Sequence, residues 1–335
     1  MLVYKDIKQL LYVLGSFYQP QNSYCIAVDE KAASSFKKRI QKIAACFPNI
    51  FLHEVRNVEY CGFGVTNAVF SCLKILANQN NPWKYYQYLS GVDLPLKTNL
   101  EMVRIFKALN KTYNAEVTKV DAYRIDESYG APPVPLWKSS LSATFPRESA
   151  DVIVRNQKVN DLLLYLRRTE CSDESLWGTI GGQPEYIPIP GGFPAPAFYR
   201  KIKDELYGNP RRPNFSKSKN PKSGFELKSY YISRYQVWDS NDELSAGLIC
   251  KGSFVKKSCV YGIEDLPNLI TRPELVAHKF YLDLHPAVFF CLYEKVRLRS
   301  LDVGSQSIFS ADNYRNLPQV QLSQGKKIDE VNFFF

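Results

Sequence analysis

Residues 85–101 read YYQYLSGVDLPLKTNLE, and this stretch organises the rest of the chain. The aromatic and apolar run from Tyr85 to Leu89 predicts a buried strand, which is followed by loop-forming residues at Gly91, Asp93 and Pro95. Thr98 and Glu101 have the spacing of a capping box at the start of a helix. Apolar residues then recur at helical spacing, at Met102, Ile105, Phe106 and Leu109. The stretch therefore predicts a strand, a tight polar turn and a capped helix.

The first third of the chain repeats this alternation. Strands are predicted at Tyr24–Val28 and Asn49–Leu52, and helices at Ile7–Phe17, Lys31–Cys46 and Thr66–Asn78. Alternating strands and helices predict an α/β fold with a mostly parallel sheet flanked by helices. In such sheets ligands bind beside the carboxyl ends of the strands, so the turn at 90–97 is a candidate ligand loop, although a polar turn in this position is more often only a turn.

The later part of the chain is less regular. Residues 110–135 are polar, residues 181–222 are rich in Gly, Pro and basic side chains and predict a long excursion, and the polar stretch after Ser300 predicts a loosely ordered tail. The other predicted strands are Ser139–Phe145, Tyr230–Trp238 and Ser258–Tyr261, and the other predicted helices are Ala150–Arg168, Arg272–Lys279 and Pro286–Leu298.

Composition limits the class of protein. The 335 residues are 45% hydrophobic and 14% aromatic, which is typical of a globular core. The net charge of +10 suggests an acidic partner such as nucleic acid, a membrane surface or a nucleotide diphosphate. The basic run at 201–222 lacks the interleaved aromatic side chains of a nucleic-acid stacking platform, and a solvated basic loop explains it as well.

Targeting signals and cysteine spacing bear on the cellular setting. No apolar run approaches the roughly 20 residues of a membrane span, and no signal peptide is visible, so we expect any targeting segment to lie outside this sequence.

The eight cysteines contain no C-x-x-C pair, and the three histidines do not cluster with them, which disfavours zinc. Scattered cysteines are compatible with free thiols or with a few disulfides. Two sequons begin at Asn110 and Asn214 and give weak support for a lumenal setting.

The carboxylates Asp173 and Glu174 precede an apolar segment that begins at Leu176. They could cap a helix, where acidic side chains are favourable. The cap is the commoner role, but a carboxylate here could also supply a base, since sugar transfer to a hydroxyl with inversion needs one within hydrogen-bond reach of that hydroxyl.

Two segments resemble the core-2/I-branching family of N-acetylglucosaminyltransferases. Residues 90–101 are similar to its motif S-G-x-D-x-P-L/I-K-T-N-L-E, and residues 171–180, CSDESLWGTI, are similar to S-P-D-E-x-L-W-A-T-I. The resemblance implies that Glu174 is the catalytic base, with Ser172 in place of the family's Pro. The ordered set of similar segments runs from about Val3 to about Leu301.

The resemblance also implies a metal-free donor site. The family has no metal and places two basic side chains on the diphosphate, and this chain contains no Asp-x-Asp pair. Residues 256–266 resemble R-x-x-C-x-x-G-x-x-D-L and residues 277–280 resemble A-N-K-F, which places the two cations at Lys256 and Lys279. YCIAVD at 24–29 resembles Y-C-I-H-V-D and puts Asp29 near the uridine, while Asp93 of the first motif completes the implied donor set.

The acceptor side departs further from the family. Asn114-Ala115-Glu116 resembles an N-x-E segment whose Glu contacts acceptor hydroxyls, and Arg124 is expected to replace a nearby family basic residue. Residues 233–238 resemble K-W-Q-Y-F with Tyr235 in place of Trp, and Trp238 lies at the end of this segment. Residues 62–65, GFGV, stand where the family has S-W-S-R, so a basic side chain is lost.

Six cysteines match cysteines of vertebrate branching enzymes. The resemblance implies the pairs Cys25–Cys72 and Cys250–Cys259, and it places the partners of Cys46 and Cys291 in an upstream stem that this sequence does not contain. Cys61 and Cys171 have no counterpart.

Taken as a whole, the resemblance implies a GT-A-like nucleotide-sugar-binding fold with a catalytic domain over residues 1–300 and a tail over 301–335. The nucleotide-binding half would span about residues 1–110, and the acceptor and base half about 111–300. The expected reaction moves N-acetylglucosamine from UDP-GlcNAc to a 6-hydroxyl of a Gal or GalNAc acceptor, with inversion, no cofactor and no metal.

The expected partners are a UDP-sugar and a glycan or glycoprotein, in the Golgi lumen, with membrane contact only through an anchor absent from this sequence. Transfer of another UDP-sugar such as xylose, and a catalytically inactive glycan-binding module, remain alternatives. A nucleic-acid-binding domain is disfavoured.

Overall fold

The computed structural model describes residues 1–207, 230–239, 248 and 250–331. Along these ranges the chain is a mixed α/β protein with several small sheets. Within them, no helix has the length and apolar character needed to cross a bilayer.

The first third forms a parallel sheet covered by helices. Its strands β1 (Leu2–Val3), β2 (Tyr24–Asp29) and β3 (Ile50–Val55) lie in the order β1-β2-β3, with Tyr24 paired to Ile50 and Asp29 to Val55. The covering helices are α1 (Ile7–Phe17), α2 (Ser34–Cys46) and α3 (Phe63–Ala77). The β2 strand is buried along its full length, which explains its unbroken run of apolar residues.

The predicted strand, turn and capped helix at 85–109 are confirmed, and a second short strand lies within the turn. Strand β4 (Tyr85–Gln87) is followed by a second short strand, β5 (Asp93–Pro95), and then by α4 (Asn99–Leu109). Both hydrogen bonds of the capping box form: the Glu101 amide donates to Thr98 Oγ1 at 3.2 Å, and the Thr98 amide donates to Glu101 Oε2 at 2.7 Å. The cap fixes where α4 begins, directly after the turn.

The prediction of a mostly parallel sheet is wrong beyond β3. Strand β4 pairs antiparallel with β8 (Thr144–Pro146), and β5 pairs antiparallel with β12 (Val276–His278), which pairs parallel with β9 (Tyr235–Gln236). The two-stranded sheets β6 (Thr118–Lys119) with β7 (Trp137–Lys138) and β10 (Ser253–Val255) with β11 (Ser258–Val260) are antiparallel. These strands are two or three residues long, so the pairing is set by tertiary contacts more than by local pattern.

Several elements of the second half differ from their predictions. The helix expected at 150–168 is two helices, α5 (Arg147–Ile153) and α6 (Gln157–Leu166), because Asn156 caps the second through the amides of Lys158 and Val159. The helix expected at 272–279 is wrong, because Val276–His278 is the strand β12 between β5 and β9.

The strand expected at 139–145 begins only at Thr144, and that expected at 230–238 is confined to β9, whereas the strand at 258–261 forms as β11. The excursion after residue 181 contains the helix α8 (Ala195–Tyr207). The remaining helices are α7 (Trp177–Gly181), α9 (Leu266–Leu269), α10 (Pro286–Leu301), α11 (Val303–Ile308) and α12 (Pro318–Ser323).

The segment after residue 300 is not a loose tail. Tyr314, Leu317 and Val320 are buried against α4, and the Tyr314 hydroxyl donates to the carbonyl of Pro273 at 2.7 Å. A few apolar residues within a polar stretch are enough to anchor it, which the absence of periodicity concealed.

An aromatic core joins the two halves of the chain. Tyr86 and Tyr113 stack on Phe145 with ring centroids 4.6 and 4.9 Å away, and Trp177 packs against Phe145 at 5.2 Å. Phe145 and Trp177 are fully buried. Because Trp177 opens α7, this core fixes the turn that immediately precedes it.

Candidate active site

Glu174 lies in a single turn of 3₁₀ helix, Ser172–Ser175, directly before α7. Its amide donates to the carbonyl of Cys171 at 2.9 Å, and its carbonyl accepts from the Ser139 amide at 2.6 Å. The side chain is one-quarter exposed, and Arg124 Nη1 donates to its Oε2 at 2.6 Å. The main chain around Glu174 is thus fixed on both sides, while its carboxylate still reaches solvent.

Four charged side chains form a network at this turn. Arg124 Nε lies 3.2 Å from Asp121 Oδ2, and Lys138 Nζ lies 3.3 Å from the same oxygen and 4.0 Å from Glu174 Oε2. Burial opposes the charge of Arg124, but its hydrogen bonds with Tyr123 and Glu174 raise the pKa of the guanidinium. Arg124, which the sequence placed at the acceptor, therefore lies against the carboxylate of Glu174 and helps to orient it.

Two further carboxylates lie close to Glu174. Burial raises the pKa of Glu116, and the charge of Glu174 adds to this effect against a backbone hydrogen bond from Ser140. Burial and the charge of Glu174 together raise the pKa of Asp173 to about 6. The structure thus brings Glu116, the predicted acceptor residue, into the electrostatic field of the predicted base.

The two predicted donor lysines meet at the turn between β10 and β11. Lys256 occupies that turn with a positive φ of 49°, and Lys279 directly follows β12. Lys279 Nζ donates to the carbonyl of Val255, the residue before Lys256, at 2.8 Å. Burial, together with the neighbouring charge of Lys256, lowers the pKa of Lys279 to about 8. Two cations placed this close are suited to bind one anionic group.

The two predicted donor aspartates have different environments. Asp29 ends β2, is buried, and accepts from the Lys31 amide at 3.0 Å, so it lies at the carboxyl end of the parallel sheet. Asp93 is fully buried, and its carboxylate accepts from His278 Nδ1 and from the Ser90 amide, both at 2.7 Å.

Burial by itself would raise the pKa of Asp93, but the hydrogen bond from His278 holds it below its usual value. Burial lowers the pKa of His278 to about 4, so the ring is neutral at neutral pH. Asp93 therefore fixes the turn at 90–93 and leaves no exposed oxygen toward a ligand.

The two predicted acceptor aromatics also differ. Tyr235 is only 3% exposed: its ring stacks on Tyr261 at 5.8 Å, and the Arg272 guanidinium lies 4.1 Å from its centroid. In this state it offers no open face to a sugar. Trp238 is half-buried and bridges to Ser258, beside the turn that carries Lys256.

Three disulfides are present within the described part of the chain. Cys25 is joined to Cys72 and Cys250 to Cys259, the two pairs that the resemblance implies. The third joins Cys61 to Cys171, 110 residues apart, and was not foreseen because neither residue had a family counterpart. Cys46 is exposed and Cys291 half-buried, both as free thiols.

The two predicted glycosylation sites are the sequons at Asn110 and Asn214. Asn110 is exposed at the C-terminal end of α4, and Asn214 lies outside the described residues. Over the described ranges, the side chains close enough to share a metal ion are those of Cys250, Cys259 and Asp265, and the two sulfurs are already bonded to each other.

The chain matches the family model of the Core-2/I-Branching enzyme over residues 1–203, and it therefore belongs to that family. It is 28% identical over 326 residues to the human beta-1,3-galactosyl-O-glycosyl-glycoprotein beta-1,6-N-acetylglucosaminyltransferase, covering 90% of this chain and 70% of the relative. It is also 28% identical over 332 residues to the mouse N-acetyllactosaminide beta-1,6-N-acetylglucosaminyl-transferase, covering 92% and 74%.

Proposed function

We propose that this protein is an inverting, metal-independent glycosyltransferase that moves N-acetylglucosamine from UDP-GlcNAc to a 6-hydroxyl of a Gal or GalNAc acceptor. The observation that carries the proposal is the Glu174 carboxylate, held by Arg124 on a turn whose backbone is fixed, in a chain that belongs to the family of branching enzymes. We further propose a GT-A-like fold and a Golgi lumenal location, as expected from that family.

Glu174 is the proposed base. Because Arg124 binds Oε2, the other oxygen, Oε1, is available to accept a proton from the acceptor hydroxyl. The hydroxyl oxygen then bonds to the anomeric carbon as the bond from that carbon to the diphosphate oxygen breaks, and the proton ends on Glu174. Glu116 is the proposed partner of the other acceptor hydroxyls.

Lys256 and Lys279 are the proposed counter-charges of the departing diphosphate. Preorganised cations stabilise charge that develops in the transition state without a metal ion. The Lys279 side chain is buried, and its ammonium group contacts the turn that carries Lys256. Its charge therefore acts in a site of low dielectric. Asp29, at the end of β2, is the proposed contact of the uridine.

A transfer assay across UDP-sugars tests this proposal. The protein, secreted from a eukaryotic host, is assayed for UDP release with several UDP-sugars and with Gal- and GalNAc-terminated acceptors, in excess EDTA. We expect turnover with UDP-GlcNAc that persists in EDTA. Preference for UDP-xylose would overturn the proposed donor. Loss of activity in EDTA that manganese restores would overturn the two-lysine mechanism. Glycan binding without turnover would favour an inactive binding module.

The base is tested by Glu174→Gln, with Glu170→Gln as the matched control on the same segment. Glu170 is exposed, and its side chain is not part of the network around Glu174. Glu174→Gln should lower kcat by ~10²-fold or more, because the amide cannot accept the proton. Turnover within a few-fold of the wild type would remove Glu174 from the mechanism.

A further inference from the structure

The loop between β3 and α3, residues 57–62, contacts Lys256 and the segments that carry Asp29 and Glu174, and we call it the bridging loop. On the nucleotide side, the Asn57 amide donates to Glu30 Oε1 at 3.2 Å, and Lys31 Nζ donates to the carbonyl of Val58 at 3.4 Å. Lys31 also lies 3.6 Å from the Glu59 carboxylate. Glu30 and Lys31 immediately follow Asp29, so the loop rests against the predicted uridine end.

On the diphosphate side, the ring of Tyr60 lies beneath Lys256. The ammonium is 4.4 Å from the ring centroid, within the range of a cation–π interaction. Tyr60 is 71% exposed and Lys256 is also exposed, so the ring restricts where the lysine can reach without neutralising its charge. An exposed Tyr in this position has no packing role in the core.

On the base side, the loop is covalently tied to the turn that carries Glu174. Cys61 forms the disulfide with Cys171, and the Cys171 amide donates to the Cys61 carbonyl at 2.9 Å. One residue further along, the buried hydroxyls of Thr66 and Ser172 are hydrogen-bonded at 2.7 Å. Three links therefore join the bridging loop and the start of α3 to residues 171–172, which lie three and two positions before Glu174.

The close packing of the loop depends on a glycine. A Cβ added at Gly64 would overlap the carbonyl group of Asn57 and come within 2.9 Å of the Cα of Val58. Asn57 and Cys61 both have positive φ, at 55° and 59°, which turns the loop back on α3. The folded-in position of the loop is thus specified by residue type and not only by the disulfide.

We propose that the bridging loop is a positioning element of the active site: the Cys61–Cys171 disulfide holds the Glu174 turn in register, and Tyr60 orients Lys256. The loop joins the base to the diphosphate cations across elements distant in sequence. The proposal rests on the proposed function, and it assigns to Cys61, Cys171 and Tyr60 roles in aligning the base and the donor.

The disulfide arm compares Cys61→Ala/Cys171→Ala with Cys25→Ala/Cys72→Ala, which removes another disulfide attached to α3. We expect the first double variant to lower kcat by about 10- to 100-fold with little change in the affinity for UDP, since a misplaced base slows only the chemical step. The control is expected to lose thermal stability, with kcat at 25 °C within about two-fold of the wild type. Gly64→Ala, which displaces the loop but keeps the disulfide, should give a smaller loss of kcat.

A double-mutant cycle separates positioning from general stability. If the disulfide acts through Glu174, then removing it from Glu174→Gln should lower the residual rate by less than about two-fold. A loss as large as in the wild-type background would overturn the positioning role. Amide hydrogen exchange provides a readout that does not depend on activity: peptides covering 171–176 should exchange faster without the disulfide, while peptides covering α1 should not change.

The tyrosine arm should show the opposite kinetic pattern. Tyr60→Ala should raise the KM for the UDP-sugar by about two- to five-fold with kcat nearly unchanged, and Tyr60→Phe should restore the wild-type KM because the ring is kept. Equal KM values for all three proteins would overturn the role of Tyr60.

The two proposals fail in different ways. If Glu174→Gln retained full activity, the proposed base would fail. Unchanged amide hydrogen exchange at 171–176 without the disulfide would refute the role of the bridging loop and leave the proposed base standing.

Discussion

Replacing Arg124 tests whether its contact with Glu174, which only the tertiary structure creates, orients the proposed base. Arg124→Met keeps the length of the side chain and removes the guanidinium from Glu174 and Asp121, which it contacts at 2.6 and 3.2 Å. Arg124 is 8% exposed and Glu174 25% exposed, so the pair lies between an exposed and a buried ion pair. Exposed pairs contribute about 0–1 kcal/mol, and breaking a buried pair costs about 3–5 kcal/mol. We therefore expect a loss of about 2 kcal/mol, which for a chain of 335 residues corresponds to a fall of about 3 °C in Tm.

The kinetic effect of Arg124→Met should fall on kcat. Without the hydrogen bond to Oε2, the Glu174 carboxylate can rotate away from the acceptor hydroxyl, and misplacement of about 1 Å costs up to about 10²-fold in rate. Arg124→Lys keeps the charge but not the planar fork, so its kcat should be intermediate. Lys138→Met is the matched control, because Lys138 lies 4.0 Å from the same oxygen and should matter less.

The assay is initial-rate transfer at saturating donor with varied acceptor, together with thermal melting of each variant. A raised acceptor KM with unchanged kcat would refute the reasoning and would place Arg124 on the acceptor, as the sequence alone suggested. A kcat within two-fold of the wild type together with the expected loss of Tm would show that the ion pair is structural only.

Four other outcomes are expected. The affinity for UDP should fall as the pH rises through about 8 toward 9, because Lys279, whose pKa is about 8, binds the diphosphate only while it is protonated. A calorimetric titration that shows constant affinity over this pH range would contradict the role of Lys279. Lys279→Ala should weaken UDP binding far more than Lys203→Ala, which serves as a control on the exposed face of α8. Lys256→Arg should keep or improve UDP binding, because Arg restores a bidentate contact with the diphosphate. Thr98→Ala should destabilise the protein by about 1 kcal/mol in chemical denaturation through loss of the capping box, and no measurable change would mean that α4 is fixed by packing alone.

The sequence by itself determined the elements that carry a strong local signal. Helix Ile7–Phe17 has the predicted bounds, and strand β2 and helix α4 begin where predicted, because apolar periodicity and a side-chain cap are encoded within a few residues. The ordered set of segments that includes residues 90–101 and 171–180 likewise indicated the family, since each segment is a run of consecutive side chains. The disulfide partners of Cys25 and Cys250 came from resemblance rather than from any local signal.

Only the tertiary structure decided how short or distant segments meet. Val276–His278 is a strand because β5 and β9 flank it, and no pattern within three residues could specify that. Arg124 contacts Glu174 across 50 residues, and Cys61 meets Cys171 across 110, because packing of α3 and of the aromatic core brings their loops together. The sequence thus specifies which side chains can perform the chemistry, whereas their distances and their pKa values depend on burial and long-range contacts that form only when the chain is folded.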